Sequence, residues 1–369
     1  MLIGIDASRA VAAHPTGTEV YSQRLIQALL KLESPHQFRL YFREPPPAGT
    51  FAGADLRTIP FPRLWTHIRL SWEMARHPPG VLFIPAHVLP PIHPRVSLVT
   101  VHDLGYRHFP EAHPPLQRLY LDLTTRWNAR AAAHILADSQ ATKADLVTHY
   151  ATSPDRISVA YPGYDQTLVP IRDPARIDEV KSRYTVTGDY FLYLGTLQPR
   201  KNLARVIDAF AAIETKATLV LAGKRGWLYD DLFRQVRQSG LEKRVIFPGY
   251  IAEEDKADLL SGALAFVFPS LYEGFGFPVL EAQACGCPVI TSTTSSLPEV
   301  AGDGALLVDP RDSSAIADAM RRIAADPSLR ESLIGRGFIN ARRFSWTTCA
   351  QAVLDAIACH EVTPSPRKA

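Results

Sequence analysis

A chain of 369 residues with 46% hydrophobic and 21% charged residues has the make-up of a folded globular protein with room for two α/β cores, which excludes a disordered or fibrous protein. A formal charge of +3 is too small to argue for a nucleic-acid partner, and no apolar run approaches the roughly 20 residues of a membrane-spanning helix. The small positive excess lies within residues 1–168, with every histidine except His360, which favours an anionic partner or membrane surface on that half unless it is merely solvated charge.

The N-terminus MLIGIDASRA passes into a strand-like run without a basic region or cleavage site, so a cytoplasmic location is expected. Strand-like LIGIDAS, FRLYF, GVLFIPA, VSLVTVHD and HILADS alternate with amphipathic stretches such as EVYSQRLIQALLKL, the pattern of βαβ units and a parallel sheet. The Pro- and Asp-rich stretch VAYPGYDQTLVPIRDPAR predicts an interdomain linker near residues 165–185. Beyond it YFLYLGT, ATLVLAG, RVIFPGY, AFVFPS, CPVITS and ALLVDP predict a second doubly wound sheet, with chemistry expected just after the carboxyl ends of its strands. The expected domains are 1–170 and 171–345, followed by a C-terminal helix and tail over 346–369 that allows packing back onto the first domain. The cysteines Cys285, Cys287, Cys349 and Cys359 read as reduced packing residues, because the one close pair has no second pair or histidines to complete a zinc site.

The most informative stretch is FPSLYEGFGFPVLEAQACGCPVI, residues 268–290. A strand should end at Pro269, Pro278 suits the first turn of a helix because its missing N–H does no harm there, and Gly286 suits the position just past the helix end. A Gly-containing loop at a helix N-terminus offers backbone N–H groups and a favourable dipole to a diphosphate. Glu273 and Glu281 would repel that diphosphate unless they face hydroxyl-rich parts of a ligand, as in a nucleotide-sugar site. The residues alone also allow Glu281 to be a helix-stabilising acid and Glu273 a surface loop acid.

Glu273 through Glu281 resembles the E-x7-E signature of glycosyltransferase family 4. YLGTLQPRKNLARVIDAF, VTVHDL, ADSQATKADL, VAYPGYD and PTGTEVYSQRLIQAL resemble further segments of that family, in its order, from about residue 2 to about residue 346. The resemblance implies the GT-B architecture, two Rossmann-like doubly wound α/β domains facing across a cleft that closes on donor binding. It implies that Glu281 holds the ribose hydroxyls and that Glu273 with the backbone of Gly274, Phe275, Gly276 and Phe277 holds the donor sugar. Lys201 would stabilise the leaving diphosphate, Arg200 would stand beside it, and His102 would approach the sugar from the first domain. Gly17, Gly249 and Tyr250 fall among the implied donor-binding residues. Many relatives carry Arg where this chain has Thr196, so Arg200, Lys224 or Arg225 is expected to supply the second cation, unless these are simply solvated loop charges.

The resemblance further implies retention of anomeric configuration. No D-x-D sequence occurs, so no cofactor and no metal are expected, the cationic loop taking the metal's place. The expected substrates are a nucleotide-sugar, GDP-mannose before UDP-glucose or a deoxysugar nucleotide, and a glycan or lipid-linked glycan acceptor. The mannosyltransferase-like branch is the nearest in form. Other readings are a sugar-nucleotide 2-epimerase of the same fold and a non-catalytic nucleotide-sugar-binding subunit. On the acceptor side, RLWTHIRLSWEMAR sets Leu64, Ile68 and Trp72, with Trp65, beside Arg63, Arg69 and Arg76. Such a helix suits peripheral contact with the inner face of a membrane, but the expectation is that its aromatic stripe packs on the core.

Overall fold

The structure, a computed structural model, describes residues 1–12, 17–86, 88–224 and 229–360. The chain divides into two compact units, Met1–Gly163 with the segment from Phe344 onward, and Tyr164–Arg343.

The first unit is built on β1 (Leu2–Asp6), β2 (Gln37–Phe42), β3 (Asp55–Thr58), β4 (Val81–Ile84), β5 (Ser97–Val101), β6 (His134–Ala137) and β7 (Ile157–Val159), hydrogen-bonded in the order β3-β2-β1-β4-β5-β6-β7. Every pairing is parallel, with Ile3 opposite Phe38 on one side and Val81 on the other. Its helices are α1 (Gly17–Lys31), α2 (Ser71–Arg76), α3 (Gly105–His108), α4 (Pro115–Ala131) and α5 (Gln140–Tyr150). Side chains alternate across the sheet: Val81 and Phe83 join the core that includes Ile3, Tyr21 and Leu25, while Leu82 and Ile84 join the opposite one with Trp65, Met74 and Leu146. Both faces are buried, which is why the central strands read as unbroken apolar runs. β3 and β7 escaped the sequence reading because DLRT is a mostly exposed edge strand and ISV is very short.

The second unit contains β8 (Tyr190–Leu194), β9 (Thr218–Ala222), β10 (Val245–Ile246), β11 (Ala265–Phe268), β12 (Val289–Ser292) and β13 (Ala305–Val308), in the order β10-β9-β8-β11-β12-β13. It carries α6 (Pro174–Arg183), α7 (Leu203–Ala211), α8 (Tyr229–Gln238), α9 (Lys256–Ser261), α10 (Phe277–Ala284), α11 (Leu297–Ala301), α12 (Ser313–Ala325) and α13 (Pro327–Ala341). The strand order reverses between β8 and β11, so the loops after these two strands open a crevice at the carboxyl edge.

Two expectations need correction. The stretch 165–185 is not a linker throughout: Asp173 caps α6 by accepting the Ala175 N–H, and Pro174 occupies its first turn. The segment RLWTHIRLSWEMAR does not pack its apolar stripe on the core either. A π-helical turn, Thr66–Leu70, runs into α2, and of the residues singled out only Trp65 is buried while Leu64, Ile68 and Trp72 are exposed. The last helix, α14 (Trp346–Ala358), starts at Ser345, whose hydroxyl accepts the Thr348 N–H, and packs against α1 in the first unit through Cys349, Val353 and Ile357.

Candidate active site

In the second unit the loops after β8 and β11 bring three charged groups together. Glu273 is buried, and Lys201 Nζ lies 2.5 Å from its Oε1 while Arg200 NH1 lies 2.7 Å from its Oε2. Burial alone would push this carboxyl up, but the two cations and their hydrogen bonds hold it down, at about 2. Glu273 is therefore not a surface loop acid. Lys201 also sits 4.7 Å from the centroid of Phe268, which fixes its ammonium between ring and carboxylate.

The backbone explains why these residues meet. Asn202 takes a left-handed φ of 65° at the start of α7, and its buried amide donates to the Pro269 and Pro310 carbonyls at 3.1 and 2.5 Å. Arg200 donates from its side chain to the Tyr272 carbonyl at 2.8 Å, and its own carbonyl accepts the Leu271 N–H at 2.9 Å. The two loops thus form one rigid floor. Beside it, Gly223 has φ 145°, and a Cβ there would fall 1.8 Å from the Gly195 carbonyl oxygen, so the turns after β8 and β9 touch backbone to backbone.

The loop over Glu273–Phe277 is held by a hydroxyl ladder from TSTTSS, residues 291–296. Thr291 and Thr294 donate to the Phe268 and Leu271 carbonyls, and Ser292 donates to that of Ser270. Ser296 donates to the carbonyls of Glu273 and Phe275 at 2.9 and 2.6 Å, while Ser295 accepts the Glu273 N–H at 3.0 Å. Gly276 then turns the chain into α10 with φ 119°, and Gly286 ends the helix region with φ 72°, as the sequence leads one to expect. Neither the ladder nor the role of Asn202 was read from sequence, because a Ser/Thr run also looks like any loop. Ser296→Ala is expected to weaken binding of a nucleoside diphosphate by about 1 to 2 kcal/mol through loss of two loop anchors, measured by calorimetric titration.

Glu281 lies on α10, 3.4 Å from Lys256, which also binds Glu253 at 2.7 Å. Burial raises the Glu281 carboxyl, Lys256 opposes this, and the charges of Glu253 and Asp165 add to the rise. Lys256 was missed because a lysine in IAEEDKADLL reads as a solvated helix charge. Among the other expected residues, Gly249 has φ 83° and accepts the Gly223 N–H at 2.7 Å, so it belongs to the same group of turns. Lys224 is exposed with its Nζ 5.6 Å from the Tyr250 ring centroid, and Thr196 is exposed. Gly17 opens α1 in the first unit, with open space where a Cβ would stand. Arg225 lies outside the described residues.

In the first unit His102 follows β5, between the ends of β4 and β6. Its Nδ1 is 2.7 Å from the buried Asp138 carboxylate and its Nε2 is 2.9 Å from the Pro85 carbonyl. Burial works against a charged ring here, yet Asp138 outweighs it and raises the imidazole above its ordinary value. A ring whose two nitrogens both face acceptors is a fixed, cation-favouring group and a poor proton acceptor.

The cysteines are all unpaired, with Cys285, Cys287 and Cys349 buried. Among the described residues His108, Asp145 and His149 form the one group of three or more with metal-ligand chemistry, their ligand atoms within 4.8 Å, and it includes none of the site residues expected from the sequence. No helix among the described residues is long and apolar enough to cross a membrane.

Residues 176–338 match the family described as Glycosyl transferases group 1, and residues 15–168 match Glycosyltransferase Family 4. Over 293 residues the chain is 33% identical to the O-antigen chain mannosyltransferase B of Escherichia coli, covering 78% of this chain and 76% of that one. It is 28% identical to the serotype-specific mannosyltransferase WbdA of Escherichia coli over 66% of its own length, and it spans 30% of that longer protein. Alr3699/HepE of Anabaena, solved in complex with UDP and glucose, shares the fold with a TM-score of 0.73 at 18% identity, over 97% of this chain and 99% of that one. With two parallel Rossmann-like sheets and these matches, the chain belongs to glycosyltransferase family 4 and is a glycosyltransferase of the GT-B fold.

Proposed function

We propose that the protein transfers mannose from GDP-mannose to a glycan or lipid-linked glycan of a surface polysaccharide, with retention of configuration and without a metal. The observation that carries the donor reading is the 33% identity to a mannosyltransferase, combined with Lys201, Arg200 and Glu273 meeting at the switch point of the second sheet. In this reading Lys201 and Arg200 take the diphosphate, and Arg200 is the cation that replaces the arginine absent at Thr196. The loop Gly274–Phe277 at the start of α10 supplies further N–H groups to the ligand. Glu281, braced by Lys256, takes the ribose hydroxyls, and Glu273 positions both cations and meets the sugar. Gly17, Gly249, Tyr250 and Lys224 are assigned to the donor. His102 is assigned to the transferred sugar as a fixed ring whose charge is set by Asp138. The work takes place in the cytoplasm, at the membrane that presents a lipid-linked acceptor.

The test is a thermal-shift panel of GDP-mannose, UDP-glucose, UDP-N-acetylglucosamine, dTDP-rhamnose and the free nucleotides, on wild type and Glu281→Ala. The expected result is a rise with the guanine nucleotides alone, lost in Glu281→Ala and unchanged by a chelator. A rise with a uracil or thymine nucleotide instead would reassign the donor, and no rise with any would remove the active-transferase reading. A chelator-sensitive transfer rate would overturn metal independence.

A further inference from the structure

Away from the donor cluster, the first unit gathers three metal-ligating side chains on two neighbouring helices. Asp145 and His149 stand four residues apart on α5, so both project from one face of that helix. His108 is the last residue of α3 and meets the same face. Its Nε2 lies 2.9 Å from Asp145 Oδ2, the His149 Nε2 lies 3.9 Å from Oδ1, and one ligand atom from each residue falls within 4.8 Å of the other two.

A histidine–aspartate pair accounts for His108 alone. It does not account for His149, whose Nε2 stands beyond hydrogen-bond range of the carboxylate, with the two rings 5.8 Å apart and 78° between planes. Metal–ligand bonds of about 2.0 to 2.2 Å at a tetrahedral centre set the ligand atoms roughly 3.3 Å from one another. The spacings of 2.9 and 3.9 Å bracket that value, so small rotations of the two rings bring all three groups onto one centre. Two imidazoles with one carboxylate suit zinc or a similar divalent transition ion, whereas calcium and magnesium take oxygen ligands. The side chains are 35%, 17% and 30% exposed in chain order, which lets an ion enter and water complete its coordination. Arg107, next to His108 in the chain, is engaged with Asp122 at 3.2 Å.

The placement gives such an ion work to do. α3 begins at Gly105, just after His102. At the start of α5 the Thr142 hydroxyl donates to the His102 carbonyl at 3.2 Å, and Ser139 caps the helix by accepting the Thr142 N–H. Between His102 and His108, Tyr106 is buried with its hydroxyl 2.5 Å from that of Tyr150, the last residue of α5. An ion on His108, Asp145 and His149 fastens the far end of the same segment, so that α5 holds the stretch from His102 to His108 at both ends.

We propose that His108, Asp145 and His149 bind a zinc-class divalent ion, which clamps α3 to α5 and steadies the segment that carries His102. None of the three ligands belongs to the donor site, so the ion is apart from the diphosphate and the proposal does not depend on which donor is used.

The test is calorimetric titration of Zn2+ into the untagged full chain, first stripped with a chelator and then freed of it, and repeated with Co2+ followed by its visible absorption. Wild type should bind one ion that His108→Ala with His149→Ala does not bind. Each single variant should bind it at least about tenfold more weakly, since even the loss of a ligand's hydrogen-bonding neighbour costs that much. Zinc should also raise the wild-type thermal midpoint and slow amide exchange over Gly105–His108, and do neither in the double variant. Both rings are partly exposed, so in chelator the double variant should melt with wild type, and His149→Ala alone carries the comparison if it does not. Zinc bound equally by wild type and variant, zinc bound only at millimolar concentration, or binding that leaves exchange over α3 unchanged would overturn the proposal. The nucleotide response, read in chelator, stands or falls separately.

Discussion

Lys201→Ala is expected to lower kcat by a factor of about a hundred to a thousand, with a much smaller change in donor affinity. The reason lies in how the ammonium is held. It is 11% exposed, 2.5 Å from Glu273 and 4.7 Å from the Phe268 centroid, on a loop anchored by Asn202 to two carbonyls. Such a charge needs no reorganisation as negative charge builds on the leaving diphosphate, so its contribution grows from the ground state to the transition state. Arg200 remains in the variant and still attracts the ground-state anion. The check is steady-state transfer kinetics beside nucleotide titration. A loss confined to KM with kcat unchanged would show that Lys201 contributes uniform binding only.

The same cluster shows what a sequence can and cannot say. Lys201, Glu273 and Glu281 could be named as candidates because the motifs that carry them follow the family's order, although only Lys201 and Glu273 meet in this cluster, and the six strands of the second unit were legible from apolar runs. That Glu273 is buried and bridges both Arg200 and Lys201 was not, because Lys201 and Glu273 lie 72 positions apart in the chain and only the β8–β11 adjacency brings the two loops together. Lys256 and Ser296 stayed hidden for the same reason: each acts on a residue of another element, and its own surroundings look like solvated helix or loop. His102 was legible as a residue of interest in VHDL, whereas its pairing with Asp138 depends on the neighbouring strand β6. On the surface the error ran the other way. Periodicity finds an apolar stripe in RLWTHIRLSWEMAR and cannot say which way it faces, and the reading that set it in the core failed for Leu64, Ile68 and Trp72.

Glu273→Gln is expected to destabilise the second unit by about 3 kcal/mol at neutral pH, because it leaves two close cations without their shared, buried anion. The Glu273 carboxyl is depressed from 4.5 to about 2, so its stabilisation is fully present above the ordinary value and is lost as pH falls from there through about 2. In thermal melts the wild-type and variant midpoints should differ by roughly 10 °C at pH 7 and converge in strong acid. Equal midpoints at pH 7 would show that the pair is not worth its geometry. A nucleoside diphosphate brings its own negative charge to Lys201 and Arg200, which should relieve the repulsion that the substitution creates. The variant is therefore expected to gain more stability from the diphosphate than wild type does, the opposite of Glu281→Ala, which should gain none. A diphosphate that shifts Glu273→Gln less than wild type would place the anion away from these two cations, and with it the leaving-group role of Lys201.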